Sequence, residues 1–126
     1  MRRRWTLVSV LILLVISGNA LYWGSAEAKD KPNLQTGATI YKKYCARCHG
    51  AQGRGDGPAT RILKINPPDF TNRAYMAKKT DEELLTIIAN GGAAVGKSKL
   101  MPPYRKKLNE QELRAVVAYI RSLTGS

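Results

Sequence analysis

The chain has 126 residues, of which 21 are Lys or Arg, 9 are Asp or Glu and 1 is His, so its formal net charge at pH 7 is +12. With 44% hydrophobic residues, it has the composition of a globular protein and not of a disordered one. This length allows one small domain. The excess of basic residues gives information about possible binding partners and not about the fold.

The first 28 residues have the pattern of a secretory signal peptide. Three arginines at positions 2–4 precede an almost uninterrupted apolar stretch at 5–16, and Ala26-Glu27-Ala28 has the small-x-small form of a cleavage site. We predict cleavage after Ala28 and export to the periplasm. An uncleaved anchor on the outer face of the inner membrane is the alternative, because residues 5–23 approach the roughly 20 residues that a membrane span needs.

Three helices are predicted in the remaining part of the chain, residues 29–126, and the first runs from about Thr36 to Cys45. Its apolar face has the 0, 3, 4, 7 spacing of one helix side. The residues on that face are Gly37, Ile40, Tyr41 and Tyr44.

The second and third helices each begin with a predicted capping box. Thr80 and Glu83 form the first pair, before a helix that ends at Asn90-Gly91-Gly92, and Asn109 and Glu112 form the second. No stretch of residues 29–126 has the pattern of a β-hairpin, so we predict an all-α domain. The third helix carries an apolar stripe at Leu113, Val116, Val117, Ile120 and Leu123.

Long loops rich in Gly and Pro separate these helices. "GAQGRGDGPA" and "NPPDF" follow the first helix, and "GGAAVGKSKLMPPY" follows the second. Loops of this length in a small domain usually have a function. If they enclose a flat apolar cofactor, that cofactor supplies the core that three short helices lack.

Both cysteines and the one histidine of the chain lie within five consecutive positions, from Cys45 through Cys48 to His49. CxxCH is the signature of covalent c-type haem attachment. Each thiol adds to one vinyl group of the porphyrin, so the two sulfurs must be held at a fixed separation, and the following histidine is placed to bind the iron. We predict a haem c on Cys45 and Cys48 with His49 as an iron ligand.

Other uses of these residues fit less well. A structural zinc site needs four ligands, and the motif offers two Cys and one His. Thioredoxin-like chemistry needs a βαβ setting that the sequence does not predict. A disulfide formed after export remains the alternative, although so short a loop removes little chain entropy and leaves the histidine unexplained.

The sixth ligand of the iron has to come from elsewhere in the chain. Met76, Met101, a lysine or no protein ligand are the options, since the chain has no second His. Met101 is favoured, because Pro102 and Pro103 restrict the backbone beside it and His/Met is a recurrent haem ligand pair. Met76 is predicted to fill a gap in the core.

Over residues 33–125 the chain resembles the class I monohaem cytochromes c. "GATIYKKYCARCHG" is similar to their N-terminal helix and haem site, "LMPPY" to their methionine loop, and "LNEQELRAVVAYIRSL" to their C-terminal helix. The resemblance implies a small cytochrome c-like domain of three to four helices, with long loops wrapped around one covalently bound haem. It also implies that the first and last helices cross near Gly37, where Tyr41 and Tyr119 approach each other.

The resemblance implies His49 and Met101 as the axial ligand pair. It further implies that the carbonyl of Pro58 accepts a hydrogen bond from His49. With both axial positions taken, no open site remains for oxygen or peroxide, so we predict an electron carrier between exported or membrane-bound redox partners and not an enzyme. The alternatives are an electron-entry subunit of a larger oxidoreductase and a peroxidase-like haem protein with a labile methionine.

Nine basic residues flank the two ligand segments. Each one alone is typical of a solvated surface, but together they predict a positive rim that steers an acidic redox partner to the haem edge. Nucleic acid is not an expected partner, because the basic and aromatic patterns of its binding modules are missing, and we expect a monomer. The nine are Lys42, Lys43, Arg47, Arg54, Lys97, Lys99, Arg105, Lys106 and Lys107.

Overall fold

The structure is a computed structural model and describes residues 31–126, of which Pro32–Ser126 pack as one unit. The predicted signal peptide or anchor, residues 1–28, lies outside the described residues, so its cleavage stays a prediction. Within the described range, each helix is too short or too polar to span a bilayer.

Residues 31–126 form six α-helices and no strand, which confirms the all-α prediction. The three longer helices are the three predicted ones. The other three have only four or five residues each and are too short to show a period in the sequence. The helices are α1 (Leu34–Tyr44), α2 (Ala46–His49), α3 (Ala59–Leu63), α4 (Arg73–Met76), α5 (Asp81–Asn90) and α6 (Glu110–Ser122), with a 3₁₀ turn at Ala93–Val95.

The helix starts are set by side-chain caps. Asn33 accepts hydrogen bonds from two backbone amides of the first turn of α1, so this helix begins two residues earlier than predicted. Both predicted capping boxes are present: Thr80 with Glu83 begins α5, and Asn109 with Glu112 begins α6. These caps satisfy amide groups that a helix cannot satisfy internally.

The first and last helices cross at Gly37, as predicted. A Cβ at this position would lie 2.1 Å from the carbonyl oxygen of Ala115 and 2.9 Å from Cβ of Tyr119. Only a residue without a side chain lets the two backbones come this close. Beside the crossing, the rings of Tyr41 and Tyr119 lie 5.2 Å apart at an angle of 54°, an edge-tilted arrangement that aromatic pairs favour.

The hydrophobic core lies between α1, α5 and α6. Tyr41 and Val116 are buried at its centre, and Met76 is 1% exposed there, in the role the sequence predicts. The hydroxyl of Tyr41 donates a 2.9 Å hydrogen bond to the carbonyl of Gly50. This bond links the core of α1 to the end of the CxxCH segment.

Arg121 fastens α6 to the segment that leads into α5. Its guanidinium donates to the carbonyl oxygens of Met76, at 2.9 Å, and of Lys79. It also pairs with Asp81 at 2.7 Å. One side chain therefore satisfies two backbone acceptors and fixes where α5 begins relative to α6.

Candidate functional site

A cavity of about 420 Å³ lies between α1, α2, α5 and the long loops, and it is lined mainly by apolar side chains. Cys45, Cys48, His49 and Met101 all line it. A pocket of this size with few polar groups is typical of a cofactor site. The structure thus brings together four residues that the sequence singled out from two distant segments.

The CxxCH segment forms its own short helix. Helix α1 ends at Tyr44, and the carbonyl of Cys45 then accepts hydrogen bonds from the amides of Cys48, at 3.1 Å, and His49, at 2.9 Å. This single turn places residues three apart on one helix face. Both sulfur-bearing side chains consequently line the cavity.

The imidazole of His49 is packed against the ring of Phe70, with centroids 4.8 Å apart and planes inclined by 16°. Burial lowers the pKa of His49 to about 4, so the ring is neutral at pH 7, the form that binds metals. Its Nδ1 is buried and has no hydrogen-bond partner among the described residues. Buried polar atoms rarely lack a hydrogen-bond partner, so His49 fits a site that is completed by a bound group.

The two cysteines are free thiols. Burial, together with the neighbouring Cys48, raises the pKa of the Cys45 thiol to about 12. Catalytic thioredoxin-like cysteines have a lowered pKa, so the environment of Cys45 disfavours that chemistry. Within residues 31–126, no group of three or more His, Cys, Asp or Glu side chains is arranged to hold a bare metal ion.

Met101 is held over the cavity by its own backbone. Its carbonyl accepts a 2.9 Å hydrogen bond from the amide of Gly92, two residues beyond the end of α5. A Cβ on Gly92 would lie 2.2 Å from the carbonyl of Ser98 and 3.2 Å from Cβ of Met101, so the loop needs glycine here. The other candidate, Met76, is in the core and does not line the cavity.

These features are those of a protein family that binds haem through CxxCH. The family model described as "Cytochrome C oxidase, cbb3-type, subunit III" matches residues 32–120. The chain belongs to this family. The predicted identity as a c-type cytochrome is confirmed, and membership implies a covalently bound haem c with iron.

Individual relatives agree with the family match. "Cbb3-type cytochrome c oxidase subunit CcoP" of Azospirillum sp. (strain B510) is 25% identical over 101 residues, which cover 80% of this chain and 32% of that protein. The "Alcohol dehydrogenase (quinone), cytochrome c subunit" of Gluconacetobacter polyoxogenes is 30% identical over 95 residues, covering 71% of this chain and 19% of that protein. The chain thus spans about a third or less of the length of these relatives.

A solved structure, "KustC0563 c-type cytochrome", superimposes with a TM-score of 0.57 at 26% identity and covers 70% of this chain and 96% of that one. Similarity over nearly the whole of a small c-type cytochrome confirms the predicted fold class. The family match and these relatives make this chain an electron-transfer cytochrome c domain.

Tyr104 was not singled out in the sequence, yet it ties the two ligand segments of the cytochrome domain together. It is 7% exposed, and its hydroxyl donates a 3.1 Å hydrogen bond to the carbonyl of Tyr44, directly before Cys45. Its amide donates to the carbonyl of Ile88 at 3.1 Å. Burial raises the pKa of Tyr104 to about 12, so the hydroxyl keeps its proton at neutral pH.

The predicted role of Pro58 in the cytochrome domain stays a prediction. Pro58 is an exposed residue that precedes α3, and it does not line the cavity. In this structure Nδ1 of His49 makes no hydrogen bond to Pro58 or to any other described residue. Pro67 and Pro68 line the cavity instead. The "NPPDF" segment could have indicated these two prolines, since the sequence predicts a loop there. The same loop also supplies the Phe70 ring that packs against His49.

All nine basic residues of the predicted rim are exposed on the cytochrome domain. Lys97 lines the mouth of the cavity, and Arg105 donates to the side chain of Asn90 at 3.1 Å. Lys43 and Lys107 approach the ring of Tyr44, which itself lines the cavity. Positive charge is therefore present beside the cavity on both ligand segments.

Proposed function

We propose that this chain carries a single haem c and passes single electrons between redox proteins. The observation that carries the proposal is the meeting of Cys45, Cys48, His49 and Met101 at one apolar cavity. Two thiols, an imidazole and a thioether are the set that covalent attachment and axial ligation of a haem require.

Each of the four side chains has a distinct role in this proposal. Cys45 and Cys48 would hold the haem through two thioether bonds, and His49 and Met101 would be the side chains that bind its iron. The bound haem supplies an iron that gains or loses one electron. The apolar lining excludes water, and the Met101 thioether favours the reduced state. With His49 and Met101 both serving as ligands, no position would remain for a substrate at the iron, so we infer a carrier and not an enzyme.

Spectroscopy of the purified protein tests this assignment. We expect a pyridine haemochrome typical of c-type haem, in-gel haem staining after denaturation, and a weak ferric absorption band at about 695 nm that reports Met–iron bonding. Met101→Ala removes that band, whereas the core variant Met76→Leu keeps it. Loss of the band in Met76→Leu alone would refute the ligand assignment. A high-spin iron in the unmodified protein would instead support the peroxidase-like alternative.

A second candidate function is that of an electron-entry subunit in a larger oxidoreductase. The named relatives are subunits of an oxidase and of a quinone-linked alcohol dehydrogenase, and this supports the candidate. Native gel electrophoresis of membranes solubilised in mild detergent, followed by haem staining, separates the two functions. A stained band that migrates with a large complex favours the subunit, and a stained band near the mass of the free chain favours the shuttle.

We also propose that the protein is exported to the periplasm. The arginines and the apolar stretch within residues 1–28 support this, and they allow either cleavage or a tether through residues 5–23. Intact mass of the purified protein distinguishes the two forms. The mass of a chain that begins at Lys29 indicates cleavage, and the mass of a chain that begins at Met1 indicates a tether.

The nine exposed basic residues support an acidic redox protein as the partner. Clustered positive charge accelerates encounter with an acidic surface by roughly ten- to a thousand-fold at low salt. Screening weakens this attraction as the Debye length falls to about 8 Å at physiological ionic strength. The rate of electron transfer to such a partner should therefore fall steeply with added salt, and a rate indifferent to salt would contradict electrostatic steering.

A further inference from the structure

Two lysines from distant parts of the chain meet on one aromatic ring. The Nζ atom of Lys43 lies 5.0 Å from the centroid of the Tyr44 ring, and the Nζ atom of Lys107 lies 5.9 Å from it. Tyr44 is the last residue of α1, directly precedes Cys45 and lines the cavity. Its side chain therefore connects the candidate haem site with two exposed ammonium groups.

The two ammonium charges are not neutralised within the described part of the chain. The ion pairs found in residues 31–126 belong to Arg114 and Arg121 and do not include Lys43 or Lys107. Attraction to the face of an aromatic ring holds a cation without cancelling its charge. Each ammonium group therefore remains able to attract an approaching carboxylate.

The ring that carries the two charges is fixed in place. Its rim touches the ring of Tyr104, with centroids 5.5 Å apart, and the Tyr44 carbonyl accepts the hydrogen bond from the Tyr104 hydroxyl. Tyr104 is itself buried. A preformed aromatic centre with charge around it loses little conformational entropy when it binds, and such centres are favoured at protein interfaces.

We propose that Lys43, Tyr44 and Lys107 form the docking contact for a carboxylate-bearing face of a partner redox protein. This inference rests on the proposed electron-transfer function and deepens it, because it selects two of the nine basic residues as the contact. The charge complementarity between two unpaired ammonium groups and a pair of partner carboxylates argues for an acidic protein. A partner docked here is separated from the cavity by a single side chain.

A comparison of two doubly substituted proteins tests the location. Lys43→Gln/Lys107→Gln removes the proposed contact, and Lys31→Gln/Lys78→Gln removes the same total charge from exposed sites outside the nine. The assay is stopped-flow oxidation of the ferrous protein by ferricyanide, in which one electron leaves the protein and ferricyanide becomes ferrocyanide. The comparison is made at about 0.1 M salt, where the Debye length is about 10 Å, so charges close to the approaching oxidant dominate the rate and distant ones are screened.

We expect the Lys43/Lys107 variant to react about five-fold or more slowly than the unsubstituted protein, and the control variant at most about two-fold more slowly. With a cationic oxidant, tris(phenanthroline)cobalt(III), the Lys43/Lys107 variant should react at an unchanged or higher rate. Equal losses in the two variants with ferricyanide would overturn the docking site. A protein that exchanges electrons with neither reagent would overturn the proposed function and this inference with it.

Competition experiments identify the class of partner. Poly-L-glutamate, a stand-in for the carboxylates of a protein, should slow the ferricyanide reaction of the unsubstituted and control proteins and leave the Lys43/Lys107 variant unaffected. Phosphatidylglycerol vesicles and single-stranded DNA serve as the other anionic surfaces. If either of these slows the ferricyanide reaction of the unsubstituted protein but not of the Lys43/Lys107 variant, while poly-L-glutamate has no effect, the assignment of an acidic protein partner is wrong.

Discussion

Replacing Tyr104 by Phe should loosen the methionine loop without unfolding the domain. The substitution removes one hydroxyl, which donates a 3.1 Å hydrogen bond to the carbonyl of Tyr44. Tyr104 is 7% exposed, so water cannot fully replace the lost donor. A buried hydrogen bond contributes about 1 kcal/mol, and an acceptor left unpaired costs about 1–3 kcal/mol.

These values give an expected loss of about 1.5 kcal/mol in the stability of the contact between the two ligand segments. Since about 1.4 kcal/mol corresponds to a tenfold change in an equilibrium constant, detachment of Met101 should become roughly ten times more frequent. The whole domain retains most of its stability, because native domains are stable by about 5–15 kcal/mol.

Denaturant titration of the ferric protein measures this effect. The band at about 695 nm reports the Met101 bond, and far-UV circular dichroism reports the helices. In Tyr104→Phe the band should disappear at a lower denaturant concentration, and by a larger shift than the loss of helix. Tyr75→Phe is the matched control, because Tyr75 also lines the cavity and its hydroxyl makes no hydrogen bond within residues 31–126. Equal behaviour of the two variants would refute the reasoning.

Three further substitutions probe the fold, each by chemical denaturation. Gly37→Ala puts a Cβ 2.1 Å from a carbonyl oxygen of α6 and should destabilise the protein by about 2 kcal/mol, whereas the exposed Gln35→Ala should not. Arg121→Met leaves the Lys79 carbonyl without this donor, whereas the Met76 carbonyl keeps a 3.1 Å hydrogen bond from the amide of Lys79, and should cost about 2 kcal/mol; Arg114→Met, which loses only exposed ion pairs, should destabilise the protein less. The hydrogen bond from the Thr80 amide lowers the pKa of Glu83. The ionised carboxylate therefore stabilises the folded protein at neutral pH, and this stabilisation is lost as the pH falls below the ordinary value of about 4.3. Glu83→Gln should thus be less stable than the unsubstituted protein at pH 7, and the two proteins should become equally stable in acid. A difference in stability that does not change with pH would contradict this.

Features written into short stretches of sequence were the ones that could be predicted. The capping boxes at Thr80 and Asn109 depend on residues three positions apart, and the CxxCH motif depends on five consecutive positions. The crossing at Gly37 was inferred from the resemblance to a family and not from spacing. Local chemistry of this kind has a fixed pattern that a single sequence displays.

Contacts between distant segments could not be predicted in the same way. The hydrogen bond from Tyr104 joins residues sixty positions apart, and no periodicity relates them. Pro67 and Pro68 were missed for a similar reason, since the sequence contains several prolines after His49 and only the folded loop shows which of them reach the cavity. The short helices α2, α3 and α4 depend on tertiary packing, because isolated single turns are unstable.

The crossing of α1 with α6 has a consequence for the order of events during synthesis. Gly37 faces Ala115, so a chain emerging from its N-terminus cannot complete this contact until α6 has followed. Contacts between segments so far apart form late in folding. Until that contact forms, the face of α1 that carries Gly37 and Tyr41 lacks its partner helix, so we expect the segment tied to Tyr41 through the Gly50 carbonyl to become ordered only when α6 has packed.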